Sequence, residues 1–117
     1  MVVDTLSLTL GAVSDPTRRS ILERLAEGPA AVRDLVARFD LTQQAISKHV
    51  AVLVRARLVR KQQRGRLCYC ALDAQPLAEL AEWTDAYRAH WEARYQKLDA
   101  LLDELQSAPT PAKKKTR

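Results

Sequence analysis

The chain has 117 residues, 47% hydrophobic and 28% charged, with three glycines, two cysteines and a net charge of +5. That length leaves room for one domain with a modest core. A disulfide framework is excluded, because Cys68 and Cys70 stand too close to staple a long loop, and nowhere do about 20 apolar residues stand together as a membrane span requires.

Over roughly Asp4 to Val13, Leu6, Leu10 and Val13 share one helical face. Leu6, Leu8 and Leu10 also alternate as a strand would, and helix is the favoured reading. Ser14-Asp15-Pro16 then predicts a helix start: Asp15 can accept a free backbone N–H, and Pro16 fits the first turn without losing a needed donor. Ile21, Leu22, Leu25 and Ala26 make the stripe expected to be buried, and Gly28-Pro29 stops the helix. A third, short helix is expected over about Ala31 to Phe39, burying Val32, Leu35, Val36 and Phe39, with Ala31 unable to cap it.

After the tight Asp40-Leu41 connection, Thr42 is placed to cap a fourth helix that ends near Arg57. Ile46, Val50 and Leu53 recur at i, i+4 and i+7, so one narrow side presses on a core. The opposite side carries Gln44, Ser47, Lys48, Ala51 and Arg55, a face of donors and cations with one small residue that permits close approach. Two helices joined in this way, the second with a basic polar face, predict a helix-turn-helix. Two strand-like runs follow, Val59 to Gln62 and Leu67 to Leu72, with Gly65 in the connection, giving a β-wing with arginines at its tip. From about Pro76 to Gln106 one helix of some 30 residues is predicted, ~45 Å long. Its apolar positions recur at close to 3.5 residues and call for a partner helix. Ser107 to Arg117, with two prolines and four cations, reads as a disordered basic tail, leaving residues 1–106 as the folded DNA-binding and dimerisation domain.

The charge is segregated along the chain. Residues 42–66 hold seven basic and no acidic side chains, whereas residues 67–106 hold three basic and eight acidic. A positive field gathered on one part of a nearly neutral body is the footprint of a nucleic-acid binder. The opening stretch has neither a basic cluster nor a signal-type apolar run, so a cytoplasmic protein with no membrane partner is expected.

The order of elements, with the words SDPTRR (14–19), AISKHV (45–50) and LVRKQQRGRLCYCALD (58–73), resembles the ArsR-type winged helix-turn-helix transcriptional regulators across residues 5 to 105. The resemblance implies a fold that is mainly α with a small β-hairpin wing, homodimeric through its terminal helices. It also implies a repressor, with autorepression expected, that binds an imperfect palindrome of double-stranded DNA, its fourth helix in the major groove and its wing beside the duplex. Carried over by position, Thr42, Gln43, Gln44, Ser47 and Lys48 match the recognition helix, and Arg64 and Arg66 match the wing tip. Gln44 stands where many members carry proline, adding an amide able to pair with adenine. Lys48, Arg55 and the wing arginines are expected on phosphates and Gln43, Gln44 and Ser47 on base edges. His49 has two readings, a structural residue or a further contact.

Many members sense metals through a Cys-x-Cys pair in the third helix, where this chain reads Val36-Ala37-Arg38-Phe39. The family's last-helix metal site finds here only His90 with Asp85 and Glu92, so no metal or other cofactor is expected. Cys68 and Cys70 alternate with Tyr69 and share a face with Leu72, which suits buried small hydrophobes. The sharper alternative is a thiol or soft-metal switch.

Trp83, Tyr87, Trp91 and Tyr95, at successive i+4 positions, together with Leu98 and with Leu6 and Leu10 from the first helix, are the candidate dimer interface. The aromatics' other reading is the wall of an effector pocket, with no effector identified. An enzyme is not expected, since no phosphate-cradling glycine loop or recognisable pair of catalytic carboxylates is present. A protein-interaction module that has lost DNA binding would not need Lys48, Arg64 and Arg66.

Overall fold

The structure, a computed structural model, describes residues 4–107. Its elements run α1 (Thr5–Ala12), α2 (Pro16–Leu25), β1 (Ala30–Ala31), α3 (Val32–Phe39), α4 (Gln43–Arg55), β2 (Val59–Arg64), β3 (Leu67–Leu72), α5 (Gln75–Asp85) and α6 (Arg88–Ser107). The chain forms two compact units, the first reaching Ala81 and the second beginning at Glu82. Among the described residues no helix is long and apolar enough to cross a membrane.

Local chemistry sets the helix ends. The Asp4 carboxylate accepts from the Ser7 backbone N–H, Asp15 from Arg18 and the Thr42 hydroxyl from Ala45, so three helices start on a side-chain acceptor. Ala31 leads into α3 with no side-chain cap, as its sequence dictates. Asp40 ends α3 in the left-handed conformation (φ 52°, ψ 44°), which turns the chain toward α4. At the end of α4 the Arg57 N–H donates to the Val54 carbonyl and the Leu58 N–H to the Leu53 carbonyl, a Schellman ending with Arg57 at the left-handed position (φ 65°) where glycine is usual.

The first unit encloses the core. Ile21, Leu22, Leu25, Leu35, Ile46, Val50, Leu53, Leu58, Val59 and Cys70 are buried, with Val32, Val36, Phe39, Leu72 and Leu77 packed around them. One sequence expectation changes here. Ala26 is exposed, because it caps α2 rather than extending its buried stripe. On α1 the core-facing positions are Thr9 and Ala12, and Leu10 is exposed and Leu6 half-buried. The Thr9 hydroxyl, sealed from water, donates to the Thr5 carbonyl one turn back.

The wing is part of a three-stranded antiparallel sheet of order β1-β3-β2. The two-residue strand β1 was not expected; Ala30 and Ala31 pair with Cys70 and Tyr69. β2 also runs beyond Gln62, so Gln63 and Arg64 lie in the ladder opposite Cys68 and Leu67 and the loop is only Gly65-Arg66. Gly65, at its first central position, has φ 61°, as a II′ hairpin loop requires.

The single long terminal helix is corrected to two helices. Ala86 and Tyr87 form a turn in which their N–H groups donate to the Trp83 and Thr84 carbonyls, three residues back instead of four. Tightening to i→i+3 interrupts the α ladder without proline or glycine, at a point where Thr84 and Asp85 are weak helix formers. The expected disordered tail lies outside the described residues apart from Ser107, which ends α6.

Because a non-glycine residue in the left-handed region is strained by about 1 kcal/mol, Arg57→Gly is expected to stabilise the protein by ~0.5–1 kcal/mol. A higher urea midpoint with an unchanged slope in equilibrium unfolding would show it.

Candidate nucleic-acid interface

The apolar stripe of α4 decides what its other side can do. Ile46, Val50 and Leu53 are at most 1% exposed, so the helix cannot roll, and Gln44, Ser47, Lys48, Ala51 and Arg55 are held outward. Gln43, Gln44, Ser47 and Lys48 together line one surface notch at the start of the helix. Arg55 follows Lys48 along the outer line of the helix, seven residues on, or roughly 10 Å. Thr42 has its hydroxyl committed to the cap, so its contribution is to start α4 at this residue.

The structure gives Arg18 a role that the sequence did not reveal. Its Nε donates to the Ala12 carbonyl (2.7 Å) and its Nη2 to the Gly11 carbonyl (3.2 Å), satisfying carbonyls at the end of α1. Its Nη1 lies 3.3 Å from His49 Nδ1 on α4. Arg19 Nη1 donates to the Val13 carbonyl (2.6 Å). The two arginines that follow the Asp15 cap therefore bind the last turn of α1, and Arg18 ties it to α4. Only the position of two cations just after a helix end could have signalled this.

His49, a candidate contact, has a side chain 23% exposed, beside Arg18 and 3.9 Å from the Asp15 carboxylate. The Asp15 carboxyl is held below its ordinary value, first by the Arg18 backbone N–H, which outweighs an opposing effect of burial, with still smaller help from the nearby His49 and Arg18 side chains.

In the wing, Arg64 ends β2 and Arg66 sits in the loop, both exposed. Among the described residues the ion pairs are Arg38–Glu27, His49–Asp15, Arg88–Asp85 and Arg88–Glu92. Lys48, Arg55, Arg57, Arg60, Lys61, Arg64 and Arg66 belong to none of them, so the positive field of residues 42–66 is uncompensated by salt bridges.

Cys70 is buried and Cys68 half-buried, and both are free thiols. Burial, with a smaller effect of Cys68, pushes the Cys70 thiol up to about 11, which keeps it protonated and a poor nucleophile at neutral pH. Among the described residues no three His, Cys, Asp or Glu side chains converge as a metal site would need.

The second unit carries the four aromatics of the candidate dimer interface. Trp83 and Tyr87 meet edge to face, with ring centroids 5.6 Å apart, and Trp83, Tyr87, Trp91, Tyr95 and Leu98 are all between 44% and 62% exposed.

Comparison with known proteins bears on this surface. Residues 13–62, from the end of α1 through most of β2, match a helix-turn-helix domain family. The chain is 32% identical over 72 residues to the transcriptional repressor SdpR of Bacillus subtilis, spanning 62% of this chain and 80% of that protein. It is 41% identical over 76 residues to the HTH-type transcriptional regulator Rv2034 of Mycobacterium tuberculosis, spanning 65% and 71%. The crystal structure of an ArsR family transcriptional regulator, RHA00566, superposes with a TM-score of 0.70 at 32% identity, covering 76% of this chain and 98% of that one.

The Asp15 cap sets a pH dependence. A carboxyl depressed in the folded state stabilises above its unfolded value, near 3.8, and that stabilisation is lost as pH falls through the lower folded value. Asp15→Ala is therefore expected to melt at a lower temperature than the wild type at neutral pH, and the two curves should converge well below pH 3.8. A difference that stays constant with pH would exclude the carboxylate as its source.

Proposed function

The chain belongs to the ArsR family of winged helix-turn-helix transcriptional regulators, and on that premise we propose that it is a homodimeric repressor closing on an imperfect palindrome, its own promoter among its targets. The observation that carries the reading is the outward face of α4. Gln43, Gln44, Ser47 and Lys48 converge on one notch, on a helix pinned by its opposite side and free of carboxylates. A major groove about 12 Å wide admits such a helix. Gln43 and Gln44 offer paired amide donors and acceptors for adenine edges, Ser47 a small hydroxyl, and Lys48 and Arg55 reach phosphates. Arg64 and Arg66 on the wing hold the flanking backbone, and His49 serves α4 through Arg18 and Asp15 rather than the duplex.

The repressor sign rests on similarity to a protein named a transcriptional repressor. Dimerisation is supported by the exposed stripe from Trp83 to Leu98 on the second unit, continued by Leu101, Leu102 and Leu105, which is too apolar to be left to water. Leu6 and Leu10 on α1 supply the rest of the interface in this reading. Two recognition helices one turn apart, ~34 Å, then require half-sites in an inverted repeat.

Lys48, Arg55, Arg64 and Arg66 from two protomers fall within the range of phosphate contacts for which affinity drops about 10³ to 10⁵-fold between 50 and 200 mM salt. In fluorescence anisotropy, Lys48→Ala should weaken binding to all sequences and flatten the salt slope by about two, one for each protomer. Gln44→Ala should instead cost about 1–3 kcal/mol per half-site on the palindrome and leave non-specific binding unchanged. A salt response that is nearly flat in the wild type would overturn the reading.

The dimer is tested separately. Trp91→Arg is expected to sediment as a monomer at concentrations where the wild type is a dimer, and to lose the palindrome while keeping a folded first unit by circular dichroism. A wild type that sediments as a monomer at micromolar concentration would refute the homodimer.

A further inference from the structure

The pairing of β2 with β3 sorts the wing into two faces. Val59 with Leu72 and Lys61 with Cys70 stand on the side whose apolar residues enter the core, while Arg60 with Ala71, Gln62 with Tyr69 and Arg64 with Leu67 stand on the other. That outer face is concave. Pro29, Arg60, Gln62, Arg64, Tyr69 and Ala71 line a groove of about 630 Å³, within the range of roughly 300–1,000 Å³ for small-molecule sites.

Its chemistry is selective. Tyr69 is half-buried opposite Gln62, so the groove holds a largely fixed aromatic ring. Arg60 and Arg64 stand four residues apart on one strand, about 13 Å between their backbones, with Gln62 between them accepting from Arg64 Nη2 at 3.3 Å. No carboxylate lines the groove. The half-buried ring separates this face from a plain solvated strand, and neither Arg60 nor Arg64 has a carboxylate partner among the described residues.

We propose that this groove binds a small anion carrying a flat ring, the ring against Tyr69 and the anionic group on the guanidinium of Arg60 or Arg64. Guanidinium binds carboxylate or phosphate through two parallel N–H bonds, and a tyrosine face accepts a flat ring at little cost in side-chain order. Nucleotides and aromatic carboxylates share this chemistry. Arg64 also belongs to the wing tip assigned to the duplex, so a bound anion competes with DNA for it. That clause rests on the DNA-binding reading, whereas binding of the anion itself does not.

The test is a titration of the isotope-labelled full chain, without DNA, with adenosine monophosphate, salicylate and inorganic phosphate in separate arms, followed by amide shifts. Shifts confined to residues 60–64 and 69–71 are expected from the first or second probe, and which of them acts identifies the source. Arg60→Ala and Tyr69→Leu should each weaken that binding about tenfold, Arg60→Ala at unchanged melting temperature. Absence of shifts with both ring-bearing probes, equal binding by the Arg60→Ala variant, or phosphate binding as tightly as either probe would overturn the proposal. Operator affinity, measured apart, should fall on adding the bound probe to the wild type and not to Arg60→Ala. Failure to bind any DNA would leave the titration's outcome intact.

Discussion

The outward face of α4 depends on the burial of three side chains on its opposite side. Ile46, Val50 and Leu53 sit against residues of the first unit's core with 1% or less of their surface exposed. Each contributes about 1.5–3 kcal/mol through burial, and together they fix the rotation of α4 about its own axis. Once that angle is set, the backbone geometry decides which residues point away, and Gln44, Lys48 and Arg55 have no other side to occupy. Preorganisation of this kind matters most for polar contacts, whose strength falls steeply with misplacement. Arg18 adds a second restraint, since one guanidinium touches the end of α1 and His49 on α4.

The parts of the fold that were legible in the sequence are those made by neighbours. Asp15-Pro16 and Thr42 announced their helices because a cap is a matter of three residues, and Gly65 announced its turn because few residues accept a positive φ. β1 was not legible: two alanines have no periodicity, and only their pairing with Cys70 and Tyr69 makes them a strand. The turn at Ala86 and Tyr87 was hidden for a different reason, because the apolar spacing runs through it unbroken and neither proline nor glycine marks it. In the site, the missing carboxylates of residues 42–66 were plain to read. The partners of His49 come from 31 and 34 residues earlier and could not be read.

The same distinction separates the two faces of the wing. Alternation placed Cys68, Cys70 and Leu72 on one side of β3, and the structure buries Cys70 fully and the other two in part. What stands opposite Tyr69 required the register of a second strand, and with it Gln62 and the flanking arginines come into view. The chain is a DNA-binding transcription regulator and not an enzyme, so its chemistry lies in which charges and rings are left accessible, rather than in activated nucleophiles. The protonated, sealed Cys70 is consistent with that division of labour.

The smallest strand has the widest mechanical reach. A hairpin attached only at its base could swing on its root, but Ala30 and Ala31 stitch β3 to the segment that runs without interruption into α3. The hairpin and the leading helix of the helix-turn-helix are thereby bonded to one continuous stretch of backbone. Two alanines thus fasten what could have been a loose flap to the helix-turn-helix at its root.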